Sequence, residues 1–538
     1  MRRLLLLGFL LTLPFGALAD PRIDGVAAGD PTATTAVLWV RAADDGKAAT
    51  LRALVATDPT FATTVSETTV RTVAADDFTG KAMLDGLRPG TRYYYRFCAA
   101  TCPADATGRF NTAPLPDQAV RVRFGFTGDA DGRYRPHSQA ADLARRDLDF
   151  LIFLGDTMYE TRATGSPAVL QLYPRGSAAE AEKGLADYFR KYREVMQGVS
   201  ATGDAAPGTQ SGITAMLRAT GSYTVFDNHE VGNRDLQAGG APPLAKGFNT
   251  DIDFDANETG QFNNATVSFR AMEKAFYGYH PTRVTIAGTP TTGMTIQGPT
   301  VNRTDDPRMH GTPMNWFAQP WGSRMILIQT DARTYRDARL GAPGGGDDIG
   351  PRADNPQRTM LGRAQMAWLK DTLRTAQAAG TTWKFVTIAS PIDQVGEGVP
   401  QPGSRWPRPG TQNQDGKSWD GGYRAERDEL LSFIADNGIR HVVFLTTDDH
   451  FVRVTPLQYR TRAGGTAMAP LAFQIVSGPI GAGGPDFFPG HDCATILAAL
   501  ELRNTTLARM KQPLNGLPAD YPGLTVTHRR CGEQGGPA

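Results

Sequence analysis

Polar and apolar residues alternate in two distinct ways along this chain, and the change falls near residue 113. Before it the period is that of strands. Val37-Leu38-Trp39-Val40 is a short apolar run, and Leu51 to Val55 and Val65 to Val73 read as further strands with Asp-Pro and Asp-Asp-Gly turns between them. Arg92-Tyr93-Tyr94-Tyr95-Arg96-Phe97 is an aromatic strand after a Pro-Gly turn. Short strands at this spacing predict an all-β sandwich over residues 20–113. Ala113-Pro114-Leu115-Pro116 predicts a stiff linker.

Beyond the linker, strands alternate with helices. Val122 to Phe126, Phe150 to Leu154, Met325 to Thr330, Lys384 to Ala389 and Val442 to Leu445 read as strands. Ser138 to Arg146, Arg363 to Ala378 and Arg427 to Asn437 have helical periodicity. This order predicts an α/β sheet covered by helices over residues 114–538. A stretch from Gln237 to Thr312, rich in Gly, Pro, Asn and Thr, predicts long surface loops around a helical piece near Met272.

The first residues give the chain an address. Arg2 and Arg3 precede an apolar run from Leu4 to Leu13, Pro14 breaks it, and Ala17-Leu18-Ala19 offers a small-x-small cleavage pattern. Residues 1–19 therefore predict a signal peptide, too short to span a bilayer, and a secreted or periplasmic protein. The general secretory route fits the very short charged region, although the paired arginines also suit the twin-arginine route. No later run reaches the ~20 apolar residues of a membrane span.

With 56 basic and 55 acidic residues, charge is balanced, and no nucleic-acid-binding surface is expected. The four cysteines favour two disulfides in an exported protein, Cys98 with Cys102 and Cys493 with Cys531, out of three pairings that four cysteines allow. Oligomeric state is not written in the sequence.

Chemistry concentrates where apolar runs end abruptly. Thr127-Gly128-Asp129-Ala130-Asp131 follows the strand ending at Phe126. Gly155-Asp156-Thr157-Met158-Tyr159 follows Leu154. Asp227-Asn228-His229-Glu230 follows Tyr223 to Phe226, and Thr447-Asp448-Asp449-His450 follows Leu445. Strand ends are where α/β folds bind ligands. Carboxylates clustered there repel one another unless cations neutralise them. Each motif alone is more often a turn or a helix cap; the ordered set points to metals.

That set resembles the dinuclear metallophosphoesterase superfamily. Gly25-Val26-Ala27-Ala28-Gly29-Asp30-Pro31, Asp331-Ala332-Arg333-Thr334-Tyr335-Arg336, Met360-Leu361-Gly362 and Trp419-Asp420-Gly421 narrow the resemblance to the PhoD-like alkaline phosphatases, which are related to the calcineurin-like and purple acid phosphatases. The resemblance runs from about residue 23 to 450. It implies an immunoglobulin- or fibronectin-like sandwich followed by a four-layer α/β/β/α metallophosphatase domain. It implies hydrolysis of small-molecule phosphomonoesters, and often of phosphodiesters, with release of inorganic phosphate. Asp129 stands where that family usually has cysteine, Asn228 where many relatives have an acid, and Thr447 where glycine is usual.

By resemblance, Asp129, Asp156, Tyr159 and His450 hold a first metal. Asp156 bridges to a second, which Asn228 and Asp448 complete. A phenolate three residues after a ligating aspartate suits Fe³⁺. Two carboxylates, an amide and waters suit Ca²⁺, with Mn²⁺, Mg²⁺ and Zn²⁺ as alternatives for the second position. Phe385 to Gln394 contains no histidine, unlike the comparable segment of purple acid phosphatases. Two such cations clamp phosphoryl oxygens and supply hydroxide for in-line attack. His229 is the candidate proton donor to the leaving alkoxide, with Asn228 and Asp156 beside it. Arg333 is a candidate phosphate contact, with a salt bridge below the site as the equal alternative, and His137 is a candidate substrate contact. Competing readings are a purple-acid-phosphatase-like enzyme with an acidic optimum, a phospholipase or nucleotidase of the same fold, and an inactive adhesive protein that uses its sandwich for binding.

Overall fold

A computed structural model describes residues 20–169, 177–199, 205–232, 267–286, 313–336, 356, 358–392, 419, 423–448, 450, 452–460 and 466–483. The proposed signal peptide, Cys493 and Cys531 lie outside the described residues.

The N-terminal part is a sandwich of β1 (Arg22–Gly29), β2 (Ala36–Ala43), β3 (Ala49–Ala56), β4 (Thr64–Thr72), β5 (Thr79–Leu84), β6 (Arg92–Cys98) and β7 (Thr107–Asn111). One layer runs β5-β2-β1 and the other β4-β3-β6-β7. Alternation works as expected in β6, where Tyr93, Tyr95 and Phe97 point inward and join Val26, Leu38, Val40, Leu51 and Val55 in one core. Cys98 and Cys102 form a disulfide.

Next come β8 (Phe124–Thr127), α1 (Ser138–Ala144), β9 (Phe150–Phe153) and α2 (Ala178–Met196). Strands β10 (Gln197–Val199) and β11 (Ala205–Gln210) form a small ribbon before α3 (Gly212–Ala219), β12 (Gly221–Thr224) and α4 (Val267–Tyr279). A second ribbon pairs β13 (Thr285–Ile286) with β14 (Pro313–Met314). The chain continues through β15 (Phe317–Pro320), β16 (Met325–Gln329), α5 (Arg363–Ala378), β17 (Trp383–Thr387), α6 (Arg424–Asp436), β18 (Val442–Thr446), β19 (Arg453–Arg460) and β20 (Thr466–Val476).

Two six-stranded sheets organise everything, in the orders β5-β2-β1-β12-β9-β8 and β15-β16-β17-β18-β20-β19. They pack face to face through Phe150, Ile152, Leu154 and Tyr223 on one side and Phe317, Leu327, Val443 and Leu445 on the other. Helices α1 to α4 cover the outer face of the first sheet and α5 and α6 that of the second. The result is the four-layer α/β/β/α arrangement, with the all-β sandwich in front.

Hydrogen bonding does not stop at residue 113. Strand β1 runs parallel to β12, with Ala28 opposite Gly221 and Gly29 opposite Ser222, so half of the sandwich extends the first catalytic sheet. Ala113 is fully buried between the sheets rather than part of a free spacer. The long helix α2 is absent from the sequence reading; it buries Gly184, Tyr188 and Tyr192 against the sheet. Among the described residues no helix is long and apolar enough to cross a membrane.

Candidate metal centre

Strands β8, β9, β12 and β18 point the same way within their sheets and end at one place. Their hydrophobic interiors are fixed by burial, so the first residues past each end are delivered as a group. Asp129, Asp156, Asp227, Asn228, Asp448 and His450 are all buried there, at 0 to 7% exposure. An extended or helical exit would send these side chains apart. Instead Asp129, Asp156, Asp448 and His450 adopt positive φ values of 64°, 49°, 78° and 51°. Such backbone is costly for residues with a Cβ and persists only where neighbours over-determine it.

Glu230, Gly155 and Gly478 are those neighbours. Glu230, fully buried, accepts the N–H groups of Asp156 at 2.9 Å, Thr157 at 2.6 Å and Asp227 at 3.0 Å. One carboxylate thus fixes the second and third motif loops together. The N–H of Asp129 donates to Gly155 at 3.1 Å, tying the first loop to the second. Gly478, at φ 108°, lies so close to Asp129 that a Cβ there would stand 2.2 Å from Oδ2.

The first donor group is compact. The Tyr159 hydroxyl lies 2.6 Å from His450 Nε2 and 3.5 Å from Asp129 Oδ1, and His450 Nε2 is 3.6 Å from the same oxygen. His450 Nδ1 faces the Gly483 carbonyl at 2.8 Å, which leaves Nε2 as its ligating atom. Thr447, at the usual glycine position, uses its hydroxyl on Asp129 Oδ2.

The second group centres on Asp156. Ligand oxygens of Asp129, Asp156 and Asp227 all lie within 4.8 Å of one another. Asp448 approaches through Arg333, whose Nη2 stands 3.5 Å from Asp448 Oδ2. Asn228 caps the short turn at His229–Val231 and is fully buried beside Asp227. Burial, and then repulsion from Asp227, Glu230, Asp129 and Asp448, pushes the Asp156 carboxyl well above its ordinary range. This many acids at one point is an arrangement that bound cations neutralise and that a bare protein resists. The donor set of phenol, imidazole and carboxylates therefore fits bound metal.

Both candidate substrate contacts have other work. Arg333 is fully buried; its Nε donates to Asp227 at 2.7 Å and its Nη2 to Ser390 at 2.6 Å. Burial opposes its charge, but Asp227 and Asp448 outweigh that and hold the guanidinium above its usual value. It neutralises acids beneath the site. His137 is also fully buried, with Nε2 3.1 Å from the Asp131 carbonyl. Neither is exposed to receive a ligand.

The sequence assigns no role to three residues, although two of them, Asp227 and Glu230, stand in its third motif. Asp227 joins the acid trio, and Glu230 ties the loops. Glu160, 1% exposed, contacts His229 Nδ1. That contact turns His229 Nε2 toward the cleft, 3.9 Å from Asp156 Oδ2, while the ring lies 4.0 Å from that of Tyr159. Glu160 directly follows Tyr159, so the signal was an acid abutting the second motif.

Comparison with known proteins gives a consistent answer. A family model described as PhoD-like phosphatase matches residues 127–489, and that of the PhoD-like phosphatase N-terminal domain matches residues 17–114. Alkaline phosphatase D of Bacillus subtilis (strain 168) is 26% identical over 449 residues, covering 79% of this chain and 64% of that protein. Purple acid phosphatase 23 of Arabidopsis thaliana is 26% identical over 196 residues, covering 35% of this chain and 37% of that protein. The chain thus spans less than two thirds of the length of either relative. A solved structure of PhoD superposes with a TM-score of 0.62 at 22% identity, over 88% of this chain and 79% of that one, and shares the fold.

Proposed function

The chain belongs to the PhoD-like phosphatase family, and from that premise we propose that it is an exported, metal-dependent phosphoesterase that hydrolyses organic phosphomonoesters and releases inorganic phosphate. The observation that carries this reading is the convergence of Asp129, Asp156, Asp227, Tyr159 and His450 from separate strand ends onto one buried point.

Asp129, Asp156, Tyr159 and His450 would hold an Fe³⁺ ion. Asp156, Asn228 and Asp448, with Asp227 close by, would hold a Ca²⁺ ion, since every donor offered there is oxygen. When bound, the two ions supply charge that neutralises phosphoryl oxygens and acidifies water. The rest falls to the chain. His229 presents Nε2, the nitrogen that Glu160 does not engage, as the position from which a proton would pass to the departing alkoxide. Arg333 holds Asp227 in place and offsets part of the acid charge. Glu230 keeps the second and third loops in register.

Elemental analysis of the purified full chain, with rates on matched aryl phosphomonoester and phosphodiester substrates, tests the reading. Iron with calcium and faster monoester turnover are expected. Zinc or manganese in place of calcium would move the enzyme toward the purple acid type. Tyr159→Phe is expected to bleach any visible absorption of the iron form while the protein stays folded. Lack of turnover on every ester with both metals bound overturns the proposal.

A further inference from the structure

The two loops that carry the first donor group reach solvent side by side. After Asp129 the chain stays buried through Gly132 and emerges at Arg133, whose side chain is 43% exposed. After Tyr159 it emerges at Arg162, 47% exposed. Between them lies Asp131, with a fully buried side chain. Its Oδ1 accepts the Arg133 backbone N–H at 2.9 Å. Its Oδ2 accepts Arg133 Nε at 2.8 Å and stands 3.7 Å from Arg162 Nε.

This is not the geometry of an ordinary surface pair, in which one arginine presents its paired Nη or Nε–Nη edge to one carboxylate. Here two arginines spend their Nε sides on a single buried oxygen. Among the described residues neither pair of Nη groups donates a hydrogen bond. Arg133 also lies over the ring of Tyr134, 5.8 Å from its centroid. Two guanidinium groups lean on one buried carboxylate, and their surplus charge is held at the surface. Guanidinium groups held this way match the planar oxygens of carboxylate or phosphate.

The place is close to the chemistry. Arg133 lies four positions after Asp129 and Arg162 three after Tyr159, so each backbone lies within about 14 Å of a metal-ligand candidate.

We propose that Arg133 and Arg162 form an anion subsite beside the metal cleft, and that the preferred substrates are phosphate esters whose alcohol part carries a second anionic group, a carboxylate or another phosphate. The proposal rests on the phosphoesterase reading above. It adds that the alcohol part is recognised by charge, and it gives Asp131 the work of aiming both guanidiniums outward.

The test uses the full, metal-loaded chain on alkyl phosphates of increasing length that end in a methyl group, a carboxylate or a second phosphate. At the best length, kcat/KM for an anionic end is expected to exceed that for the methyl end about tenfold, mainly through KM. Arg133→Ala combined with Arg162→Ala is expected to bring that ratio to about one, and the paired lysine variant to an intermediate value, since lysine keeps charge but not the fork. A ratio taken on one sample cancels any loss of folded protein. Equal rates for all ends in the unmodified protein, or a preference that survives in the double alanine variant, overturn the subsite. If no member of the series is hydrolysed, the phosphoesterase reading itself fails and the subsite fails with it.

Discussion

The sandwich and the metal centre are built by opposite rules, although a single sheet runs through both. In the sandwich, β6 and β7 bury alternate side chains while β1 and β2 are covered on both faces, and Val26, Leu38, Val55, Tyr95 and Phe97 share one hydrophobic core. In the centre, the buried side chains are acids, an amide and imidazoles, and Asp129, Asp156, Asp448 and His450 sit on backbone with positive φ. The first region is stable because its sequence obeys local preferences. The second persists because Glu230, Arg333 and the strand ends behind it leave no alternative. Stability and function are therefore separable by substitution.

The largest effect is expected in the centre. Asp156→Asn should lose bound metal and about a thousandfold or more in kcat/KM. The same change should raise the melting temperature of the metal-free protein, because it removes a carboxyl that burial and four acidic neighbours disfavour as an anion. Elemental analysis, steady-state rates and melting of chelated samples read all three. Retained turnover breaks the contrast.

Glu160→Gln comes next. With the Nδ1 partner weakened, turnover of alkyl phosphates should fall about a hundredfold. Aryl phosphates with good leaving groups should fall less, because they need less proton assistance. An equal loss on both classes would make Glu160 a packing residue only.

In the sandwich, Leu38→Ala should cost about 3 kcal/mol of stability by denaturant unfolding, since the side chain is wholly buried. Metal bound per folded chain should not change. Loss of metal in that variant would mean that the sheet continuing from β1 into β12 transmits strain to the ligands.

The smallest effect is on pH dependence. Burial lowers His280 to about 3 and His137 to about 4. The unfolded chain takes up a proton near pH 6.5, before the folded one does, so this stability is complete above that pH and is lost as pH falls. Each group should cost about 1 kcal/mol between pH 6.5 and 5.5. Burial raises Asp30 to about 6, which acts in the opposite sense below that pH. His280→Phe should accordingly flatten the fall in melting temperature on acidification. An unchanged slope would rule out the buried imidazole as its source.

Much of this was legible in the amino-acid order. The helix expected over Arg363 to Ala378 is found at those residues, and the runs ending at Phe126, Leu154 and Leu445 deliver their acids to one place. What was not legible depends on distance along the chain. Glu230 acts on Asp156 and Thr157 more than seventy positions away, and no local pattern announces it. Arg333 stood in a family motif, but whether it faced substrate or Asp227 was decided by burial. Helix α2 carries Gly184 and many charges, which mask its buried Tyr188 and Tyr192 stripe. Strand β20 contains Pro470, which argues against a strand in any local reading and is tolerated where the ladder with β19 is irregular.

Removal and return of metal tests whether the converging acids act through bound ions. The full chain is stripped with a chelator, assayed on an aryl phosphate, and assayed again after iron and calcium are restored. The account predicts two bound ions per chain, loss of turnover on stripping and recovery on reloading, with Asp156→Asn failing to recover. Undiminished turnover by the stripped protein, or no uptake of ions at all, would contradict it.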